Sequence, residues 1–215
     1  MSCAYGYDEC VQVSSDEEKL FSSVVRYVQD GYGLVHTFTL SSHIPFDNGA
    51  SLSDLELPHD MPKLMSDYLK SMNYVDSILP IIFSQTMEGG ALEHSTVVIT
   101  GDHTIFHEDR AKAFEDYARG KGYDNRIYPN YCPLLIISPD IEENTKVEDI
   151  CYQMDIYPTV RSIVGDAAMP WKGFGVDLLS PNALLSREIE PETASTLSDK
   201  MIKSDYFKNF ENEID

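Results

Sequence analysis

Gly101-Asp102-His103-Thr104 follows directly on the apolar run Thr96-Val-Val-Ile-Thr100. The run is short, β-branched and unbroken, as expected of a strand buried on both faces of an α/β sheet. A glycine then turns the chain, and an acid and an imidazole stand where the strand ends. Open α/β sheets place their ligands at the carboxyl ends of strands. Adjacent Asp102 and His103 offer one hard oxygen and one neutral nitrogen there, a natural pair of ligands for a divalent cation. The plainer alternative has Asp102 capping a turn and His103 as a satisfied polar residue. A second histidine sits in a comparable place. Leu34 to Leu40 reads as a strand that runs into Ser41-Ser42-His43-Ile44-Pro45-Phe46, and Pro45, with no N–H to donate, requires the strand to be over by then. His43 is therefore expected at a strand's carboxyl end too.

Other candidates carry less. His107 lies four residues after His103, the spacing of one helix face, and is a possible additional ligand. His36 falls inside a strand and reads as a buried, satisfied residue, whereas His59 and His94 stand beside turns at the surface. The pairs Glu17-Glu18 and Glu142-Glu143 read as solvated faces. Trp171, between Pro170 and Gly173, packs under a loop or lines a pocket.

The elements that position these groups follow from periodicity. Ser15 and Glu18 form a capping-box pattern, and Leu20, Phe21, Val24, Val25 and Val28 continue at helical spacing until Gly31 and Gly33. A long helix is expected from about Pro62 to Thr86, with Leu64, Met65, Tyr68, Leu69, Met72, Val75, Leu79 and Ile82 as its buried stripe. Pro80 should kink or divide it. Gly89-Gly90 close that unit before the strand at Thr96, and strand, helix and strand in this order suggest a right-handed crossover between parallel strands. Residues 104–131 form a long polar connection with a short helix around Arg110 to Ala118. Pro133 to Ile137 reads as another buried strand. Asp155 to Val164 reads as a helix with Asp155 as N-cap, Pro158 in its first turn and Gly165 at C′. Beyond Pro181 the sequence turns acidic and weakly periodic.

Bulk composition narrows the function classes. The chain has 215 residues, 42% of them apolar and 11% aromatic, enough for a folded core. Sixteen basic against 36 acidic residues give a net charge of −20, which argues against nucleic acid or an anionic membrane surface as partner. An anionic substrate would need a local metal or cationic pocket to overcome that field. No stretch reaches the roughly 18 apolar residues of a membrane span, and Met1 to Glu9 lack the pattern of a signal peptide. The four cysteines show no CxxC spacing, and free, buried thiols are expected at Cys132 and Cys151.

Three stretches, taken together and in order, resemble the sulfatase domain of the alkaline phosphatase superfamily, most of all its lipoteichoic acid synthase and phosphoglycerol transferase branch. Thr37-Phe-Thr-Leu-Ser-Ser-His43-Ile-Pro-Phe46 is similar to that branch's strand ending in a histidine before a proline. Thr96 to His103 is similar to the strand and Gly-Asp-His motif that supplies metal ligands. Gln153-Met-Asp-Ile-Tyr-Pro-Thr159, with Gly165 and Gly175-Val-Asp-Leu-Leu179, resembles the segment closing the domain. The likeness runs over roughly residues 15 to 180.

The resemblance implies a three-layer α/β/α sandwich with a mostly parallel sheet, present here as a C-terminal portion over residues 1–183 and followed by an acidic, helical tail at 184–215. It implies Asp102 and His103 as ligands of one divalent metal ion (Mn²⁺, Mg²⁺, Ca²⁺ or Zn²⁺) and His43 as the catalytic and substrate-binding histidine at a phosphate or sulfate group. Asp155 matches a widespread family position that reads as capping and packing. The family's nucleophile, a threonine in the transferase branch or a modified cysteine or serine in true sulfatases, lies well upstream of the strand ending in His43. No Cys/Ser-x-Pro-x-Arg sequence is present here, so the chain is expected to carry half a site.

The implied activity is hydrolysis or transfer of sulfate or phosphate ester groups by the parent enzyme, on a small anionic or a lipid- or glycan-linked substrate, at the extracytoplasmic face. Membrane attachment is expected only through N-terminal spans outside this chain. The competing expectation is a non-catalytic α/β binding or assembly module. A sheet cut short would also expose a strand edge for self-association.

Overall fold

A computed structural model describes residues 17–103, 108–122, 132–148, 151–165, 173, 175–180 and a few positions beyond 195. His107, Trp171, Ser15 and nearly all of the acidic tail lie outside the described residues. The chain divides into two compact units, residues 1–142 and 143–215.

The first unit is built on two helices, α1 (Glu17–Gln29) and α3 (Lys63–Thr86). Phe21 of α1 meets Ile78 and Ile82 of α3 in a buried cluster completed by Leu92. Leu20, Val24, Val25 and Val28, the apolar positions that recur at helical spacing, pack around it. Gly31 (φ +94°) takes the left-handed conformation just past the end of α1, where a side chain would be strained. α3 is one helix through Pro80 rather than two. The ring removes one N–H from the ladder, but packing of Ile78 and Ile82 on either side keeps the helix continuous. Between α1 and α3 lies the one-turn α2 (Asp47–Ala50).

Two strands follow, β1 (Val97–Thr100) and β2 (Leu134–Ile137), joined through α4 (Glu108–Gly120). They pair antiparallel, with Val97 opposite Ile137 and Thr100 opposite Leu134, and Thr96 Oγ1 and Ser138 Oγ extend the ladder by a hydrogen bond of 2.9 Å. The connection leaves and re-enters at the same end of the ladder, which fixes the antiparallel sense. Both strands are half-buried rather than covered on both faces, and Leu135 is exposed.

The sequence places a third strand at 34–40. The structure gives that segment no strand pairing, with Leu34, Phe38 and Leu40 exposed. His36, read as buried, is exposed instead, its ring 4.5 Å from that of Phe38. The reason lies at the segment's end, where the Leu40 and Ser41 N–H groups, which a sheet neighbour would have bonded, go to a side chain.

The second unit centres on α5 (Ile156–Ile163), entered through a 3₁₀ turn at Gln153–Asp155 and ended by Gly165 (φ +77°) at C′. Asp155 is fully buried but does not cap α5 as the sequence suggested. Its carboxylate turns back, Oδ2 accepting from the Tyr152 N–H at 2.8 Å and Oδ1 from the Val176 N–H at 3.0 Å. Thr159, also buried, donates its hydroxyl to the Asp155 carbonyl at 2.6 Å and accepts from the Leu178 N–H at 3.0 Å. The two side chains tie the closing segment at 175–178 to the start of α5.

Candidate active site

His43 sits on a turn fixed from three directions. Its N–H donates to the Leu40 carbonyl at 3.0 Å, and its own carbonyl accepts from Phe46 N–H at 2.9 Å. From α1, Glu17 Oε1 accepts from the N–H groups of Leu40 at 2.7 Å and Ser41 at 2.6 Å. From α3, the Ser71 hydroxyl donates to the Ser41 carbonyl at 2.6 Å. Glu17, Ser41 and Ser71 are all essentially inaccessible to water.

Past His43 the Ile44–Pro45 peptide is cis, and Phe46 holds a left-handed backbone (φ +70°) that non-glycine residues rarely adopt. Phe46 is buried, its ring edge-on to Tyr68 of α3 with centroids 5.4 Å apart. Gly49 is required nearby, since a Cβ there would lie 2.6 Å from Ser71 Oγ and 2.8 Å from the Ser41 carbonyl. The result is a buried frame that presents one exposed imidazole.

The ring's orientation carries chemical information. Nδ1 lies 2.7 Å from the Ile44 carbonyl oxygen. A carbonyl only accepts, so Nδ1 carries the hydrogen and Nε2 is the nitrogen left to meet a ligand. Doubly protonated, the ring donates from Nε2 to an anionic oxygen; neutral, it accepts there.

Asp102 and His103 stand just past β1, as the sequence requires, and both side chains are well exposed (62% and 72%). Asp102 Oδ2 and His103 Nε2 are 3.6 Å apart. Two donors about 2.1 Å from one tetrahedral cation lie roughly 3.4 Å from each other, so the pair fits a shared divalent ion. The fit is that of a half-set: among the described residues no three His, Cys, Asp or Glu side chains converge on one point.

Cys132, a free thiol at the foot of β2, lies against Gly101, where a Cβ would meet its Sγ at 3.1 Å. Burial, and after it the Asp102 charge, push the Cys132 thiol up from its ordinary range. Burial, with a smaller contribution from Cys132, raises the Tyr68 phenol in the same way.

Sequence reasoning missed Glu17 and Ser71. Glu17, read as part of a solvated face, is fully buried, whereas Glu18, Glu142 and Glu143 are exposed as expected. The signal was present in the spacing. Glu17, Phe21, Val24 and Val28 recur along one helix face, and Ser71 precedes Ile78 and Ile82 by seven and eleven residues on the α3 stripe.

The first unit thus carries the Asp102–His103 pair just past β1 and His43 on a separate, framed turn. The Sulfatase family model matches residues 8–165. The chain belongs to the sulfatase family. It is 25% identical over 146 residues to lipoteichoic acid synthase 1 of Bacillus subtilis (strain 168), covering 67% of this chain and 23% of that protein. Lipoteichoic acid synthase 2 of the same organism is 27% identical over 157 residues, 71% of this chain and 23% of that protein. The synthase of Staphylococcus saprophyticus is 26% identical over 150 residues, 67% and 22% respectively.

Among solved structures, the lipoteichoic acid synthase LtaP from Listeria monocytogenes superposes with a TM-score of 0.60 at 23% identity, covering 81% of this chain and 45% of that one. The likeness shows the sulfatase, alkaline phosphatase-like α/β architecture expected from the sequence. The sheet among the described residues, however, is one antiparallel pair and not the expected mostly parallel sheet with a right-handed crossover, because the 34–40 segment makes no strand pairing. The chain spans less than a quarter of the length of these curated relatives.

Proposed function

We propose that this chain is the part of a metal-dependent sulfatase-family enzyme that supplies two cation ligands and the anion-binding histidine for hydrolysis or transfer of a phosphate or sulfate ester. The observation that carries the reading is the pairing of an exposed Asp102–His103 donor set, 3.6 Å apart, with an exposed His43 held by a buried frame. Relatives named as lipoteichoic acid synthases favour transfer of a phosphoglycerol-type group over sulfate hydrolysis. A small anionic ester, free or linked to lipid or glycan, is the substrate class, and the extracytoplasmic face is the place of action. No helix among the described residues is long and apolar enough to cross a membrane.

Asp102 and His103 would hold the divalent cation, which when bound lowers the pKa of a hydroxyl nucleophile and neutralises charge on the ester oxygens. The remaining work falls to the chain's own groups. Protonated His43 donates from Nε2 to a non-bridging oxygen of the ester or delivers that proton to the leaving oxygen, and the Ile44 carbonyl keeps the ring turned so that Nε2 faces outward. The buried frame keeps the imidazole from reorganising as charge develops. The nucleophile and the remaining ligands come from outside the residues assigned here.

Calorimetric titration of glycerol phosphate onto the chain in Mn²⁺ tests the reading. Binding that weakens at least tenfold in both His43→Ala and Asp102→Ala supports it, and equal binding by all three proteins refutes it.

A further inference from the structure

We propose that Glu17 is a positioning residue for His43, a role that rests on the reading of His43 as the group that meets an anionic ester. Glu17 is fully buried at the first turn of α1, yet one of its oxygens accepts from two backbone N–H groups twenty-three and twenty-four residues further along the chain. Those N–H groups belong to Leu40 and Ser41. The Leu40 carbonyl in turn receives the His43 N–H at 3.0 Å, so the glutamate is two hydrogen bonds from the backbone of the histidine.

A role in stability alone explains this poorly. Glu17 Oε2 is buried without a hydrogen-bond partner among the described residues, and so is the hydroxyl of Ser41. Burying a carboxylate with half its acceptors unused is unfavourable, and an apolar residue at this point of the Phe21–Val24–Val28 face would pack without that cost. What an apolar residue cannot do is stop the 34–40 segment from offering its last N–H groups to another partner. With Ser71 gripping the Ser41 carbonyl from α3 at 2.6 Å, the peptide groups on both sides of Ser41 are fixed by two different helices. The strained Phe46 backbone on the far side of His43 is consistent with a turn whose conformation is imposed by its surroundings. Uncommon conformations and unsatisfied polar atoms gathered around one exposed side chain are the pattern expected where local stability has yielded to placement of a functional group.

The test uses Glu17→Met, which keeps the buried volume and removes the acceptor, Glu17→Gln, which keeps Oε1, and His43→Ala as reference. Three quantities are read on the whole chain: amide-exchange protection at Leu40 and Ser41, the ring signals of His43 in a proton–nitrogen spectrum, and affinity for glycerol phosphate in Mg²⁺. Glu17→Met is expected to lose protection at both amides by about thirtyfold, the factor that two ordinary hydrogen bonds supply. Its His43 ring signals should split or broaden, and its affinity should fall to that of His43→Ala. Glu17→Gln should restore all three to within about twofold of the starting protein, since it retains both bonds.

Unchanged His43 ring signals in Glu17→Met would overturn the proposal, however much stability is lost. So would failure of Glu17→Gln to restore the ring signals while the Thr159 amide of the second unit stays protected. If His43→Ala itself binds glycerol phosphate normally, the functional reading fails, while the exchange and ring-signal measurements still decide whether Glu17 positions the turn.

Discussion

Two buried acids hold this molecule's backbone, and they do so differently. Asp155, in the second unit, uses both carboxylate oxygens, one on the Tyr152 N–H and one on the Val176 N–H. Glu17, in the first unit, places two N–H groups on a single oxygen and leaves the other without a partner among the described residues. The acid with both oxygens used ties the 175–178 segment to the start of α5. The half-satisfied one holds the turn that carries an exposed histidine. Where the task is to close a fold, every polar atom is used; where it is to aim a side chain, an unused one is tolerated.

That contrast ranks the effects of mutation. Asp155→Ala should be the most damaging, about 3 kcal/mol, because it strands two half-buried N–H groups and unties Val176 from α5. Urea denaturation followed by circular dichroism measures it, and a loss below that of Glu17→Ala would reverse the ranking. Glu17→Ala should cost less, about 2 kcal/mol, since the lost bonds are offset by release of the unpartnered oxygen. Gly49→Ala sharpens the same side of the comparison. A methyl group 2.6 Å from Ser71 Oγ and 2.8 Å from the Ser41 carbonyl must force the second grip apart, at about 1–3 kcal/mol. If Gly49→Ala is neutral, the frame around His43 is looser than its distances suggest. In the second unit, Thr159→Val keeps the shape but removes the hydroxyl shared between the Asp155 carbonyl and Leu178, and about 1–2 kcal/mol should go with it.

The smallest effect belongs to an acid outside both frames. Asp60 meets Lys121 and Tyr117 at the surface, and Lys121, more than any other group, holds its carboxyl below the usual range. A carboxyl whose folded value is depressed stabilises above its unfolded value and loses that contribution as pH falls through the folded one. Both values lie in acid, so the small loss of stability in Asp60→Asn should be constant from neutral pH down to the upper edge of carboxylate titration and should fade below it as the two proteins converge. Equal stability at neutral pH, or a gap that grows as pH falls, would contradict this assignment.

Legibility followed chemistry more closely than architecture. The Asp102–His103 pair was visible because a β-branched run, a glycine and two ligand-type residues are consecutive, and local order needs no tertiary information. His43 was singled out as the end of a strand that does not form, so only its place on a turn before Pro45 was legible. α1 and α3 were legible from apolar spacing, α4 was expected as a shorter helix over 110–118, and Pro158 with Gly165 at C′ marked α5. The pairing of strands was not legible, because the 34–40 segment alternates like a strand while its last N–H groups are taken by Glu17. Asp155 was placed at the right helix, but its partner Val176 lies twenty-one residues away, and no local capping pattern encodes that bond. Glu17 itself was misread because a charged residue on an apolar stripe is normally solvated. Only its distant partners reveal why it is buried.

Whether Asp102 and His103 form the cation-binding part of the site is decided by calorimetric titration of Mn²⁺ onto the chain and onto an Asp102→Ala, His103→Ala double mutant. Saturable binding at one site, lost in the double mutant, is the expected result. Binding of equal affinity in both proteins would contradict it, as would the absence of any binding by the unaltered chain.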